Sequence, residues 1–119
     1  MKVRAKHEEL KGLIQTLHRK GVEEGAPIWS AVAAGLNRPR RRGYEVNLQR
    51  IESYADSKDT IVVPGSVLAS GEISKPVTVV ALRFSAEAER KIKKAGGKTM
   101  DIEELVKSNP KGKGVRIMG

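Results

Sequence analysis

The feature that most constrains the fold is a change in the sequence pattern near residue 59. From there DTIVVPGSVLASGEISKPVTVVALRFS holds three β-branched runs, TIVV, SVL and VTVVALRF, separated by Pro64-Gly65, Gly71 and Pro76. Runs bounded in this way by Pro and Gly predict short strands. Upstream of residue 59 the apolar residues recur at helical spacing instead. The sequence therefore predicts helices first and a sheet afterwards.

Three helices are predicted in the first part of the chain. Leucines and isoleucines recur at three-and-four spacing in HEELKGLIQTLHRK, residues 7–20, which indicates an amphipathic helix. Pro27 suits the first position of a second helix, PIWSAVAAGLN, which stops before the Arg38-Pro39 pair. EVNLQRIESYA is predicted to be a third, shorter helix, with Asn47 as its N-cap and Tyr54 facing inward.

Beyond the β-branched runs, Ser85 is the expected N-cap of the helix AEAERKIKKAGG, KTM a short strand, and Asp101 the start of a last helix. The tail SNPKGKGVRIMG offers little apolar surface, so we expect it to become ordered only on a partner. Truncation after Ser108 should then leave the body folded. The predicted class is α/β, in one domain over residues 1–119: a helical basic front (1–57), a small β-rich body with helices packed in irregular ββα-like turns (58–107), and a basic tail (108–119).

Charge indicates the kind of partner. The formal net charge is +9, and such a field favours polyanions. Lys and Arg outnumber Asp and Glu by eleven to five in residues 1–50 and by nine to three in residues 90–119, whereas acids lead by six to three between them. A thermophile surface rich in ion pairs would mix the two signs along the chain.

The densest basic stretch is NRPRRRGYEVN, residues 37–47. Arg38, Arg40, Arg41 and Arg42 flank Pro39, and no acid lies between Glu24 and Glu45. Arg offers planar donor forks to phosphate oxygens, so phosphate contact is favoured over a merely solvated loop. Aromatic residues are too few for a base-stacking platform. We therefore expect binding to follow backbone and shape and to weaken with salt.

Little in the sequence suggests catalysis. AGGKT, residues 95–99, resembles the end of a phosphate-binding loop but lacks the first Gly and follows a helix, so a helix C-terminus is the predicted role. His7 and His18 would stand about 16 Å apart on one helix, too far to share a metal. Adjacent acid pairs on helices do not converge. We predict no enzyme, no metal and no cofactor.

Localisation is predicted from what the sequence lacks. There is no cysteine, and no apolar run of about twenty residues that could span a membrane. MKVRAKHEEL begins with basic residues but has no apolar segment of a signal peptide after it. The cytoplasm is the expected compartment.

A family resemblance appears in GEISKPVTVVALRFSAEAERKIKKAGG, residues 71–97. A Gly, a Lys-Pro step, a β-run ending in Phe-Ser, and then Ala88, Lys91-Ile92 and Ala95-Gly96-Gly97 follow in order. This region resembles the signature shared by the archaeal and eukaryotic large-subunit ribosomal protein eighteen-e and the bacterial large-subunit protein fifteen. PIWSAVAAGLNRPRRRGYEVNLQRI and PKGKGVRI look like the eighteen-e branch, so the resemblance covers nearly the whole chain.

The resemblance implies a structural protein of the large ribosomal subunit that binds rRNA through basic extensions, beside neighbouring ribosomal proteins, without a membrane or a small-molecule substrate. It implies a location on the cytoplasmic ribosome. Two alternatives stay open: a free nucleic-acid-binding protein, such as a chromatin or RNA-chaperone protein, and a small enzyme. The RNA contacts predicted from these segments and from the basic N-terminus are Lys2, Arg4, Lys6, Arg38, Arg40, Arg41, Arg42, Lys111, Lys113 and Arg116.

Overall fold

The computed structural model describes residues 8–37 and 44–118. Within these ranges helices and strands follow one another in an α/β order that confirms the predicted class. The helices are α1 (Glu8–Glu23), α2 (Pro27–Leu36), α3 (Leu48–Tyr54), α4 (Ala86–Lys94) and α5 (Ile102–Ser108). The strands are β1 (Tyr44–Asn47), β2 (Thr60–Leu68), β3 (Thr78–Phe84), β4 (Lys98–Asp101) and β5 (Val115–Ile117).

All strand pairs in the described sheet are parallel, in the order β1-β2-β3-β4, with β5 also paired to β2. β1 and β5 share one side of β2: Val115 pairs with Thr60 and Tyr44 with Gly65. Pro64 falls between these two pairings, and the register with β3 shifts between Val63 and Ser66. A proline lacks the N–H that a strand ladder needs, so this gap is where β2 tolerates one.

The sheet is covered on both faces, as parallel sheets generally are. Alternate residues of β2 point to opposite sides: Ile61 and Val63 pack into one core with α3 and α4, while Val62 packs into the other with α1, α2 and α5. Trp29 of α2 is fully buried in the second core. The molecule therefore has three layers, with the helical front and α5 on one face of the sheet.

The connection from β2 to β3 runs through residues 69–77 and contains no helix. Parallel neighbours usually need a longer crossover, and this one is held against α3. Lys75 Nζ donates to the carbonyl oxygens of Glu52 and Ala55, at 2.9 Å each. Ser74 donates its N–H to the Glu52 carboxylate at 2.8 Å, and Ile73 is buried beneath the connection. These bonds replace the helix that ordinarily covers such a crossover.

α4 begins and ends as its sequence predicts. The Ser85 hydroxyl accepts a hydrogen bond from the Ala88 N–H at 3.1 Å. At the other end Gly96 has φ +87°, and the N–H groups of Gly96 and Gly97 donate to the carbonyls of Lys93 and Ile92, which is the Schellman arrangement. A side chain at Gly97 would collide with the Val77 carbonyl oxygen. AGGKT is thus a helix C-terminus, as predicted.

Three local predictions are wrong. Glu45, Val46 and Asn47 are in a strand rather than a helix, because Val46 is buried beside β2. Asn47 does occupy the N-cap position of α3, but its side chain makes no capping bond. Tyr54 is 44 % exposed instead of facing inward, and TIVV and SVL form one continuous strand.

The prediction for the C-terminal tail is also wrong. Residues Val115–Ile117 form β5, and the Met118 N–H donates to the Val62 carbonyl at 2.9 Å. Met118 is buried, and Gly112 packs against Ile28. The tail is part of the folded body without any partner, since its few apolar residues complete both cores.

Candidate nucleic-acid interface

Ten residues were predicted to contact RNA, and seven of them lie outside the described residues: Lys2, Arg4, Lys6, Arg38, Arg40, Arg41 and Arg42. Lys111, Lys113 and Arg116 lie within them. For the seven, the structure gives the position of the elements to which their segments are joined. That position is informative, because the elements belong to the packed body.

Two of the basic segments are joined to the helical front. α1 and α2 are linked by only three residues, 24–26, and a connection of that length turns the chain back on itself. The first residue of α1, Glu8, and the last of α2, Leu36, therefore lie toward the same end of the helix pair. Residues 1–7 precede the one and residues 38–43 follow the other. The fold thus starts these two segments from one end of the helix pair.

Residues 38–43 and the C-terminal tail share one edge of the sheet. Residues 38–43 lead into β1 at Tyr44, which pairs with Gly65, and the tail enters β5 at Val115, which pairs with Thr60. Five residues along a strand correspond to about 16 Å. The sequence separates these segments by some seventy residues, but the register of β2 brings their attachment points together.

Lys111 and Lys113 present their side chains to solvent beside β5. Lys111 Nζ lies 3.7 Å from the Glu24 carboxylate, but its side chain is 68 % exposed. An ion pair at that distance and exposure contributes little, so Lys111 can exchange Glu24 for a phosphate. Lys113 is exposed, and its carbonyl oxygen, not its ammonium group, is engaged, by Asn109.

Arg116 differs from these two lysines because its guanidinium is already engaged. Its Nη1 donates to Asp59 Oδ2 at 2.9 Å, and the group stacks on the Tyr54 ring at 4.4 Å from the centroid. Tyr54 and then Asp59 raise the pKa of Arg116. The Asp56 N–H, followed by Arg116, lowers the pKa of Asp59. Arg116 therefore fastens β5 to the loop before β2, which is a structural role that the sequence did not indicate.

The residues that carry the family resemblance are likewise used inside the fold. Lys91 Nζ donates to the carbonyls of Ala69 and Gly71 at 3.1 and 2.9 Å, and to Glu72 at 3.2 Å. Gly71 has φ +91°, and a side chain there would meet Gln49 at 2.5 Å. Lys75 ties the crossover to α3, as described above. The signature thus records the requirements of this crossover and of α4.

Sequence reasoning missed three exposed lysines at the amino edge of the sheet, the edge at which the parallel strands begin. Lys58 precedes β2, Lys94 ends α4, and Lys98 opens β4. They are far apart in the sequence and form no motif. Only the strand register, which pairs Lys98 with Thr78 and Thr78 with Thr60, places them along one edge.

Other features offer no catalytic geometry. His7 lies outside the described residues, and His18 is half-buried with Nδ1 lacking a hydrogen-bond partner. Among the described residues no three His, Asp or Glu side chains are grouped to hold a metal ion. A shallow pocket of about 340 Å³ lies between Arg50, Tyr54 and Met118. Across the described helices, none combines the length and the apolar character needed to cross a bilayer.

These observations define a class: a small, strongly basic α/β protein whose packed body fixes the attachment points of basic segments. A family model that groups the 50S ribosomal proteins L15 and L18e with their 60S counterpart matches residues 45–100. The chain is 50 % identical over 116 residues to the large ribosomal subunit protein eL18 of Archaeoglobus fulgidus, covering 98 % of this chain and 99 % of that one. It is 47 % identical to the eL18 protein of Methanoregula boonei, over 92 % and 90 % of the two chains. The chain belongs to the eL18 family of large-subunit ribosomal proteins.

Membership of this family confirms the resemblance seen in residues 71–97 and extends it along the chain. It identifies a non-enzymatic structural protein, as the sequence predicted. The relative from Halobacterium salinarum is 44 % identical over 92 % of this chain. The relatives are archaeal, in keeping with the predicted branch.

Proposed function

We propose that this chain is a structural constituent of the large ribosomal subunit and binds large-subunit rRNA through its basic segments, residues 1–7, residues 38–42 and the lysines of the tail. The observation that supports the proposal most directly is the shared origin of these segments. Two start from one end of the α1–α2 pair, and two lie on the β1–β5 edge of the sheet. Relatives named as large ribosomal subunit proteins supply the partner.

Binding would be governed by phosphate contacts rather than by reading of bases. The chain has one Trp, and Trp29 is fully buried, while Tyr54 is covered on one side by Arg116. Stacking platforms for bases need exposed aromatic side chains. Arg and Lys in contrast are plentiful, and they contact phosphate oxygens without regard to sequence. The three-layer body would hold the segments in place on a folded RNA.

Sedimentation of an extract from cells that express a tagged copy tests the proposal. In low salt the chain should travel with large subunits, and it should remain with them when reduced Mg²⁺ separates the two subunits. Concentrated salt should strip it off, because its contacts are electrostatic. A chain that stays at the top of the low-salt gradient would contradict the proposal. Release by DNase instead of RNase would point to a free DNA-binding protein.

A further inference from the structure

We propose that the amino edge of the sheet is a second RNA-contacting surface, at which Lys58, Lys94, Lys98 and Lys113 bind the phosphate backbone of rRNA. The identity of the partner rests on the proposed function; the surface itself rests on the geometry. Lys113 was already predicted as a contact, whereas Lys58, Lys94 and Lys98 were not. We call these four residues the amino-edge lysines.

Strand register places the amino-edge lysines in a row. At this edge β5, β2, β3 and β4 lie side by side, with Val115 paired to Thr60, Thr60 to Thr78, and Thr78 to Lys98. Lys113 stands two residues before the first of these strands, and Lys58 two before the second. Neighbouring strands are about 4.8 Å apart, so the row spans about 14 Å from β5 to β4. Lys94 lies beside Lys98 at the end of α4.

The amino-edge lysines are exposed, and within the described ranges their ammonium groups make no ion pair or hydrogen bond. Several other cations of the body are engaged. Arg19 pairs with Glu23, Lys93 with Glu89, and Lys107 with Glu103 along their own helices. Ion pairing therefore does not account for four cations at one edge.

The helix ends at this edge do not need these lysines either. A helix C-terminus carries partial negative charge that a cation can neutralise. At α4 the carbonyls of Lys93 and Ile92 are satisfied by the N–H groups of Gly96 and Gly97. At α3 the Ala55 carbonyl accepts from Lys75. Internal donors already serve both ends, so the amino-edge lysines are available to an external anion.

The surface between the lysines allows a backbone to approach closely. Gly96 and Gly114 are exposed, with φ +87° and +73°. Gly96 lies two residues before Lys98, and Gly114 directly follows Lys113. Nothing lies within 4 Å of a Cβ built on Gly114. Glycine at such turns keeps bulk away from the edge, which suits contact with a sugar-phosphate chain.

Charge is sorted between the two ends of the strands. Asp59, near the amino edge, is neutralised by Arg116, which leaves Asp56 as the nearby exposed acid. Toward the carboxyl ends the exposed acids Glu45, Asp101 and Glu104 have no ion pair among the described residues. A positive end opposite a negative end orients the body toward a polyanion.

An RNA backbone fits this row better than an acidic protein segment. The lysine ammonium is a compact charge on a flexible stem, able to follow phosphates whose positions the protein does not dictate. An acidic peptide would need matching donors for its own backbone, and the unpaired strand groups at this edge end in tight glycine turns. We therefore assign the amino edge to rRNA, and protein contact becomes an outcome of the test.

The test compares two triple variants of the full chain in binding to purified large-subunit rRNA over a range of salt concentrations. One variant is Lys58→Gln, Lys94→Gln and Lys98→Gln. The control, Arg19→Gln, Arg90→Gln and Lys107→Gln, removes the same charge from exposed helix positions. We expect the first variant to lower the slope of log K against log salt by about two to three, since each phosphate contact contributes about 0.7–0.9. The control should leave the slope near the wild-type value.

Acetylation of lysines, measured by mass spectrometry on the wild-type chain, gives a second readout that requires no variant. Lys58, Lys94 and Lys98 should react in the free protein and be protected in the large subunit, while Lys107 should react in both. Equal slopes for the two triple variants would overturn the proposal, even where all three lysines are protected, because a protein neighbour would then cover the edge. If wild-type protein does not bind rRNA at all, the proposed function fails first, and the two failures are distinguishable.

Discussion

Trp29 Nε1 donates a hydrogen bond to the carbonyl oxygen of Pro110 at 2.7 Å, across 81 residues of sequence. The indole is fully buried between α2 and the sheet, so this bond joins the helical front to the start of the tail. Immediately afterwards Gly112, with φ +67°, turns against Ile28 and directs the chain into β5. The tail is thus held by the same residue that fills the core beneath it.

Truncation after Ser108 should therefore destabilise the protein. It removes β5, the buried Met118 side chain and the acceptor of the Trp29 bond. Burial of a Met contributes about 1.5–3 kcal/mol and the hydrogen bond about 1 kcal/mol, so we expect a loss of at least about 2 kcal/mol in urea unfolding. Trp29, the single Trp, should shift its fluorescence to longer wavelength as water reaches it.

The control for this truncation is the pair Lys111→Gln and Lys113→Gln, which removes the tail's exposed charge and keeps β5. Its unfolding free energy should stay within about 0.5 kcal/mol of wild type. An unchanged urea midpoint after truncation would contradict the structural role assigned to the tail.

Lys91 should be a stability residue although it resembles a nucleic-acid contact in sequence. Its side chain is only 20 % exposed and satisfies the carbonyls of Ala69 and Gly71 at the start of the β2–β3 crossover. Lys91→Met keeps the aliphatic stem but leaves those carbonyls without their donor, at a cost of about 1–3 kcal/mol. Urea unfolding measures the loss.

Lys93→Met is the matched control, two residues away on the same helix. Lys93 is 59 % exposed and pairs only with Glu89, so its replacement should cost less than about 1 kcal/mol. Equal effects of the two substitutions would show that the Lys91 bonds do not hold the crossover.

Asp59 should make stability depend on pH at the acid side. The Asp56 N–H and then Arg116 lower the pKa of Asp59 in the folded protein, whereas in the unfolded chain its pKa is about 3.9. Because the folded value is the lower one, the contribution is fully present above the unfolded pKa and is lost as pH falls through the folded pKa. Wild type should exceed Asp59→Asn in stability at pH 7, and the difference should shrink below about pH 4.

Urea unfolding of both proteins between pH 7 and about pH 2.5 measures this difference directly. Glu87, whose pKa is lowered chiefly by its bond to Arg90, is present in both and cancels. Glu45→Gln, which removes an exposed acid at the other end of the strands, controls for the loss of one charge. A wild-type advantage that persists undiminished to the acid end of this range would refute the assignment.

Local signals predicted most of the body because each acts within a few residues. Ser85 caps α4 through its own side chain, Gly96 and Gly97 end that helix, and β-branched runs become β2 and β3. Elements stabilised by distant partners were missed. Val46 belongs to a strand because β2 lies beside it, and β5 exists because Thr60 to Val62 are there to pair with it.

The same distinction separates the two parts of the candidate interface. Arg38 to Arg42 are conspicuous because they are neighbours in sequence. Lys58, Lys94 and Lys98 are brought together only by parallel register, which no local pattern encodes. Arg116 is the reverse case: it lies in a basic tail, but Asp59 and Tyr54 on distant elements determine its role.

Replacement of Arg40, Arg41 and Arg42 by Ala should weaken rRNA binding and leave the fold intact. Each lost phosphate contact should lower the salt slope by up to about one. These arginines lie between α2 and β1, and the apolar contacts of Leu36 and Val46 that fix those elements are retained. The charge-preserving variant Arg40→Lys, Arg41→Lys and Arg42→Lys should keep most of the slope but lose affinity, because Lys cannot bind phosphate through two parallel bonds. A collapse of thermal stability in the Ala variant would instead identify these arginines as structural residues.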